Sequence, residues 1–351
     1  MSKTRKLKVV FETDLNESPV ALDWSSNGRW LAAMNVKSSV LLVDAVSGNS
    51  LTALQAHDGD GLALAWHPNL AMFATSCQSG IVKFWSVEDD QTVRQKKELQ
   101  LQKSSSSNWV EFLKWRPNGT QLAAGVGNSV ELISLEGTID SSYAFPGGTV
   151  ADVAWHHKGT LLGVSGYGGI FIYNLSDPTG KPINLKRPGS ILSLSWSPDG
   201  KYIVAGCQDN SVHLWRFRTR EDAQMTGFAY KPLQLKWCDR GKRLLTSGTS
   251  DLVIWPFGKK GPEGRSPEAR PFHDEAICSL AVSAKGNSIA SGCRGGRIAI
   301  WHLSRTLEPE TWAAVGSRVE HLLWSPRKDS KTLSAASREG ILKLFDASEA
   351  V

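Results

Sequence analysis

No stretch of this 351-residue chain is apolar for long enough to span a bilayer. Cysteine is scarce: five residues, Cys77, Cys207, Cys238, Cys278 and Cys293, contain no CxxC pair, which argues against a structural zinc site. Residues Met1 to Val10 are basic but lack the apolar stretch of a secretory signal. Free thiols in a reducing, cytoplasmic compartment are therefore expected, and the N-x-S/T triplets at Asn16, Asn118 and Asn174 read as chance. Signatures of catalysis are also missing: there is no GxSxG elbow, no HExxH and no phosphate-cradling loop. Gly166-Tyr167-Gly168-Gly169 falls in a strand-to-strand turn, whereas a phosphate loop opens a helix. His156-His157 stands where a sister repeat has Ser197-Pro198, and so reads as a turn before a metal site. No enzyme, cofactor or metal is expected.

Tryptophan, by contrast, is plentiful, and 14 Trp accompany 32 Gly and 15 Pro. A short apolar run ends at Trp24, Trp66, Trp115, Trp155, Trp196, Trp237, Val282 and Trp324, at spacings of 42, 49, 40, 41, 41, 45 and 42 residues. A fixed period of this size marks a repeat architecture, with cores between neighbouring repeats and loops left free to bind.

The clearest repeat spans 189–216. Ile191 to Trp196 alternates apolar and small polar residues, the two-residue period of a strand. Ser197-Pro198-Asp199-Gly200 reverses the chain. Tyr202 to Cys207 is almost continuously apolar, as a strand covered on both faces must be. After Gln208-Asp209-Asn210, Val212, Leu214 and Trp215 form a third strand. The remaining residues of each period suffice for a fourth, outer strand, giving an all-β chain of β-propeller blades. Cys77, Cys207 and Cys293 share one second-strand position in different repeats and read as small buried hydrophobes.

His57 and Trp85 lie 28 residues apart, as do His273 and Trp301, and Trp66 and Val282 follow each His by nine. This pairing resembles the WD-repeat family, in which a His before the first strand meets a Trp on the third. The resemblance covers residues 19–346. It implies structural roles for His57, Trp85, Asp209, Trp215, His273 and Trp301. The acid of the name-giving dipeptide is absent after each third-strand Trp, where Ser86, Arg216, Pro256 and His302 stand. Asp209 matches the turn acid that pairs with the His, but in a repeat with Gly189 in the His place; Ser79 and Gly295 replace that acid where a His is present. No repeat thus holds the full polar network.

Eight phrases predict eight blades of four antiparallel strands, with repeats at about 19–50, 57–101, 108–140, 147–183, 189–224, 230–258, 273–308 and 317–346 in one domain. The last has three strands of its own, and residues 6–12 are expected to complete it and close the ring, removing a sheet edge.

Net charge is +6, with basic residues at the N-terminus and in the insertions 91–107 and 256–271. The loops entering first strands and the turns between second and third strands are expected on one face. They carry His57, Asp58, Asp60, Lys231, Asp274 and Glu275, and the residues taken as partner-binding: Trp109, Tyr167, Arg187, Gln208, Tyr230, Arg294, Arg318 and Arg338. Aromatics and Arg are what interface centres favour. The expected function is a non-catalytic scaffold for protein partners, as a monomer or within a hetero-complex. The alternative is a nucleic-acid- or ribonucleoprotein-associated factor using the basic loops, and a propeller enzyme comes third.

Overall fold

A computed structural model describes residues 5–101, 108–258, 261–305 and 307–348. Antiparallel strands of four to eight residues dominate, and the described residues contain one short 3-10 turn, Asp239–Gly241. Two compact units divide the chain, 20–196 in one and 1–19 with 197–351 in the other.

In the first unit, Pro19–Trp24, Trp30–Asn35, Ser39–Asp44 and Asn49–Gln55 form a four-stranded sheet in sequence order. Two more four-stranded sheets follow, from Gly61–Trp66 to Val93–Gln100 and from Val110–Trp115 to Ile139–Ala144. This meander is the blade topology of a β-propeller. Second strands such as Trp30–Asn35 are buried along their whole length, whereas the outer strand Val93–Gln100 is mostly exposed.

Three of the first-strand tryptophans join neighbouring repeats by hydrogen bonds, whereas the indole N–H groups of Trp66, Trp237 and Trp324 are buried and meet no acceptor among the described residues. Trp115 donates its indole N–H to Ala65 O at 3.1 Å, Trp155 to Lys114 O at 2.9 Å and Trp196 to Ala154 O at 3.1 Å. Two carboxylates reinforce the same seam. Asp23 accepts the backbone N–H of Trp66 at 2.8 Å. Asp152 accepts Lys114 Nζ at 2.6 Å and the N–H of Leu194 at 2.9 Å. Apolar clusters fill the space between sheets, one running from Trp30 and Leu42 to Trp66 and Trp85.

Among the described residues there are seven sheets, not the eight blades expected. The difference lies at the fourth and fifth repeats, which share a six-stranded sheet. Leu161–Asn174 and Ile183–Trp196 are each 14 residues long, running through positions read as reversals. Tyr167 pairs with Ser190, so the ladder continues past Pro188 and Gly189 with a register shift before Gly169. Gly168 and Gly169, at φ of 89° and 140°, permit this path.

In the second unit, Leu235–Cys238 opens one four-stranded sheet, and Ile277–Val282 another with Arg5–Lys6 added parallel at its outer edge. The final sheet, Val319–Trp324, Thr332–Ser337 and Ile341–Asp346, is completed by Lys8–Asp14, paired antiparallel with Ile341–Asp346. The completing strand therefore spans 8–14 rather than 6–12. No helix of the described residues is long and apolar enough to cross a membrane.

Candidate protein-interaction site

Two repeats build a polar triad from the residues that the spacing singled out. His57 Nε2 lies 2.8 Å from Thr75 Oγ1, and Trp85 donates its indole N–H to that oxygen at 2.9 Å. His273 Nε2 lies 2.7 Å from Ser291 Oγ, to which Trp301 donates at 2.8 Å. Thr75 and Ser291 were missed in the sequence, although each precedes its Trp by ten residues. Both rings are pushed down to about 4, first by burial and then by a cation, Lys83 for His57 and Arg297 for His273. They are neutral pillars of the fold. In a third repeat Trp255 donates to Thr246 Oγ1 at 3.1 Å with Phe228 in the His place.

The fifth repeat requires a correction. Arg187, not Gly189, precedes Trp215 by the same 28 residues that separate His57 from Trp85. Arg187 is only 7% exposed and donates to Pro188 O at 2.8 Å, which removes it from the exposed contact residues. Trp215 is buried, with Ala205 where Thr75 and Ser291 stand. Asp209 accepts the Ser211 hydroxyl at 2.7 Å.

The remaining candidates cluster best in the second unit. Tyr230, Lys231, Arg294 and Arg318 line one shallow pocket with Cys278 and Leu233 at its walls. The Arg294 guanidinium lies 4.3 Å from the centroid of the Tyr230 ring, and both residues are exposed. Local backbone geometry fixes this pair. Tyr230 N–H donates to Gly248 O at 2.9 Å, and a Cβ at Gly248 (φ 98°) would meet Tyr230 O at 2.5 Å. Arg294 N–H is tied to Ala276 O at 3.0 Å. Arg318 is half-buried and pairs with Glu320 at 3.2 Å. Arg338, exposed, is joined to Arg318 O through its own N–H at 2.8 Å. Burial pushes the Cys278 thiol up to about 11, so this sulfur in the pocket wall is no nucleophile at neutral pH. Asp274 pairs with Arg297 at 2.9 Å, and Gln208 is exposed on its turn. In the first unit, Trp109 and Tyr167 are exposed at 45% and 64%, and Asp60 pairs with Lys37 at 3.2 Å.

In each basic insertion one cation is already engaged within the chain. Residues 93–100 are a strand whose Lys96 pairs with Glu88 at 2.7 Å, and 102–107 lie outside the described residues. In the other, Arg270 is 1% exposed and donates to His302 O and Leu303 O at 2.9 and 3.1 Å; Lys259 and Lys260 lie outside the described residues, as does Lys3. His156-His157 forms a turn, the His156 ring edge-on to Trp196 at 5.1 Å. All five cysteines are free thiols.

The profile of the family "WD domain, G-beta repeat" matches residues 48–86, 183–216 and 269–302, the repeats that contain Trp85, Trp215 and Trp301. Telomerase protein component 1 of Rattus norvegicus is 23% identical over 320 residues, covering 88% of this chain and 12% of that protein. The WD repeat-containing protein WDS homolog of Arabidopsis thaliana is 21% identical, covering 86% of this chain and 58% of its own length. The anaphase-promoting complex subunit cdc20 of Dictyostelium discoideum is 29% identical over 140 residues, 39% of this chain and 27% of that one. The chain thus spans less than two thirds of the length of each relative. Among solved structures, the computationally designed Ika8 protein superposes with a TM-score of 0.77 at 16% identity, covering 97% of this chain and 99% of its own.

Proposed function

This chain belongs to the WD-repeat family, and from that premise we propose that it is a non-catalytic scaffold whose turns capture a protein partner. One observation carries the reading. Arg294 stacks on Tyr230 in the open, beside Arg318 and Lys231, at turn positions where the repeat demands neither an aromatic nor an Arg. A guanidinium held over a ring can still offer N–H groups to carboxylates and carbonyls, with less rotamer freedom left to lose on binding. Such aromatic–Arg clusters are where binding energy concentrates. Trp109, exposed just before the strand Val110–Trp115, and Tyr167, exposed within the strand Leu161–Asn174, offer further aromatic rings in other repeats. One relative is named as a subunit of a multiprotein complex, which agrees with a scaffold. The five free thiols agree with a reducing, cytoplasmic setting.

Affinity capture with the purified chain as bait, read by mass spectrometry, tests the proposal. A stoichiometric protein should be retained by wild type and lost with Arg294→Ala at an unchanged melting temperature. Equal retention by both baits would refute the assignment of this site.

A further inference from the structure

At the other end of the strands that bear Gln208, the second unit presents a groove that the scaffold site does not use. It has a volume of about 630 Å3 between Lys201, Tyr202 and the turn Arg216 to Arg220. A neighbouring hollow of about 340 Å3 shares Lys201 and Tyr202 and is walled by Arg240 and Lys242. Six cations therefore border these adjoining hollows; Lys201 pairs with Asp199 at 2.9 Å and Arg216 with Glu221 at 3.5 Å and Glu263 at 2.7 Å. Arg218, Arg240 and Lys242 meet no carboxylate among the described residues.

The turn is also built at a cost. Arg220 holds φ at 66°, and its N–H closes on Arg216 O at 2.9 Å. In the corresponding turn of the first repeat Gly48 does this, at φ 70° and 2.8 Å from Asp44 O. A side chain in the left-handed region costs on the order of 1 kcal/mol. Arg240 sits in the same region at 56°. Backbone strain in arginines that line one groove points to use of the side chains rather than to the fold.

The groove's chemistry selects among anionic ligands. The Arg216 guanidinium lies 5.4 Å from the centroid of Tyr202, and that of Arg220 lies 4.6 Å from that of Phe217. One face of each ring is thus taken by a cation, which reduces the aromatic surface open to stacking bases. Meanwhile, Arg216 already takes a carboxylate from a loop of this chain: Glu263 Oε1 lies 2.7 Å from its Nη2. The site demonstrably accepts an acidic side chain carried on peptide backbone. We infer that this groove is a second docking surface, for an acidic peptide segment of a partner protein, with Asp and Glu forked by Arg218, Arg220 and Arg240.

Fluorescence anisotropy with a labelled peptide of alternating Asp and Glu tests this on the full chain. The peptide should bind, and Arg218→Glu should weaken it by about tenfold, the scale of one lost charge-assisted contact. Arg220→Gly should weaken it too while raising or preserving the melting temperature, because glycine suits the turn; this variant separates binding from folding. A thymidine oligonucleotide of equal charge and phosphatidylserine vesicles should both bind less tightly. The inference is overturned if the peptide does not bind, if both substitutions leave its affinity unchanged, or if the oligonucleotide or vesicle binds better.

Discussion

Replacing Gly295 with Asp should stabilise this protein by completing one of its triads. Ser291 Oγ accepts the Trp301 N–H and lies 2.7 Å from His273 Nε2; when the Ser291 proton is donated to Nε2, the neutral ring carries its own proton on Nδ1. That Nδ1 is buried and meets no acceptor among the described residues. A Cβ at Gly295 would first meet Glu275 Oε1 at 3.1 Å, the tip of a flexible side chain, and Gly295 lies outside the left-handed region. A hydrogen bond to a charged group contributes about 1.5–3 kcal/mol, and removing glycine's freedom from the unfolded chain adds about 0.5 kcal/mol. Desolvating the carboxylate offsets part of this, leaving a net gain of about 1–2 kcal/mol. Acid supplies a second readout. Unfolded His binds a proton below its ordinary 6.5, whereas His273 in the fold waits until about 4. Stability is full above 6.5 and is lost as pH falls through that window, by roughly 3 kcal/mol for this ring at its lower end. The new carboxylate should raise the folded pKa and shrink that loss. Urea melts of both proteins at about pH 8 and about pH 5 measure both effects. A lower midpoint at the higher pH, or an undiminished drop on acidification, would refute the reasoning.

Four further outcomes are expected. Arg294→Ala should weaken partner capture by about 2 kcal/mol with little change in melting temperature, and Trp109→Ala should weaken it comparably; titration of the captured partner checks both. Removing residues 1–14 should expose the Ile341–Asp346 edge, and size-exclusion chromatography should show aggregation or a lower melting temperature. Asp152→Ala leaves the Leu194 N–H without its acceptor and removes the carboxylate partner of Lys114, which keeps Val153 O at 2.7 Å, and chemical denaturation should show a loss of about 1–3 kcal/mol. His57→Ala should cost about 1–3 kcal/mol in the same assay without altering partner affinity in the folded fraction.

Much of the blade pattern was legible because each repeat states it in the same order: alternation, a Pro/Asp/Gly reversal, a continuous apolar run. The spacing of His57 and Trp85 located a real contact, but the hydroxyls at its centre escaped notice. Thr75 and Ser291 sit inside apolar second strands, where one small polar residue leaves no periodic mark. The merging of the fourth and fifth repeats was hidden for a related reason. Gly166 to Gly169 reads as a turn, yet Gly168 and Gly169, at positive φ, carry the ladder onward through a register shift. Arg187 shows how a neighbouring glycine can mislead, since the 28-residue count places the Arg at the buried position. The basic groove was illegible because its cations are scattered over Lys201, Arg216 to Arg220 and Arg240 to Lys242, gathered only by adjacent hairpin ends.

The carboxylates of Asp23 and Asp152 have a consequence for native-state fluctuations. Each accepts a backbone N–H from a strand of the following repeat, so that amide exchanges with solvent only when the seam between repeats parts. Opening confined to one hairpin leaves Trp66 N–H and Leu194 N–H protected, and the smallest event that releases them spans two repeats. Hydrogen exchange in residues 20–196 should therefore proceed in cooperative blocks larger than the repeat that the sequence advertises. A protein assembled from some forty-residue phrases would then breathe in pairs of them.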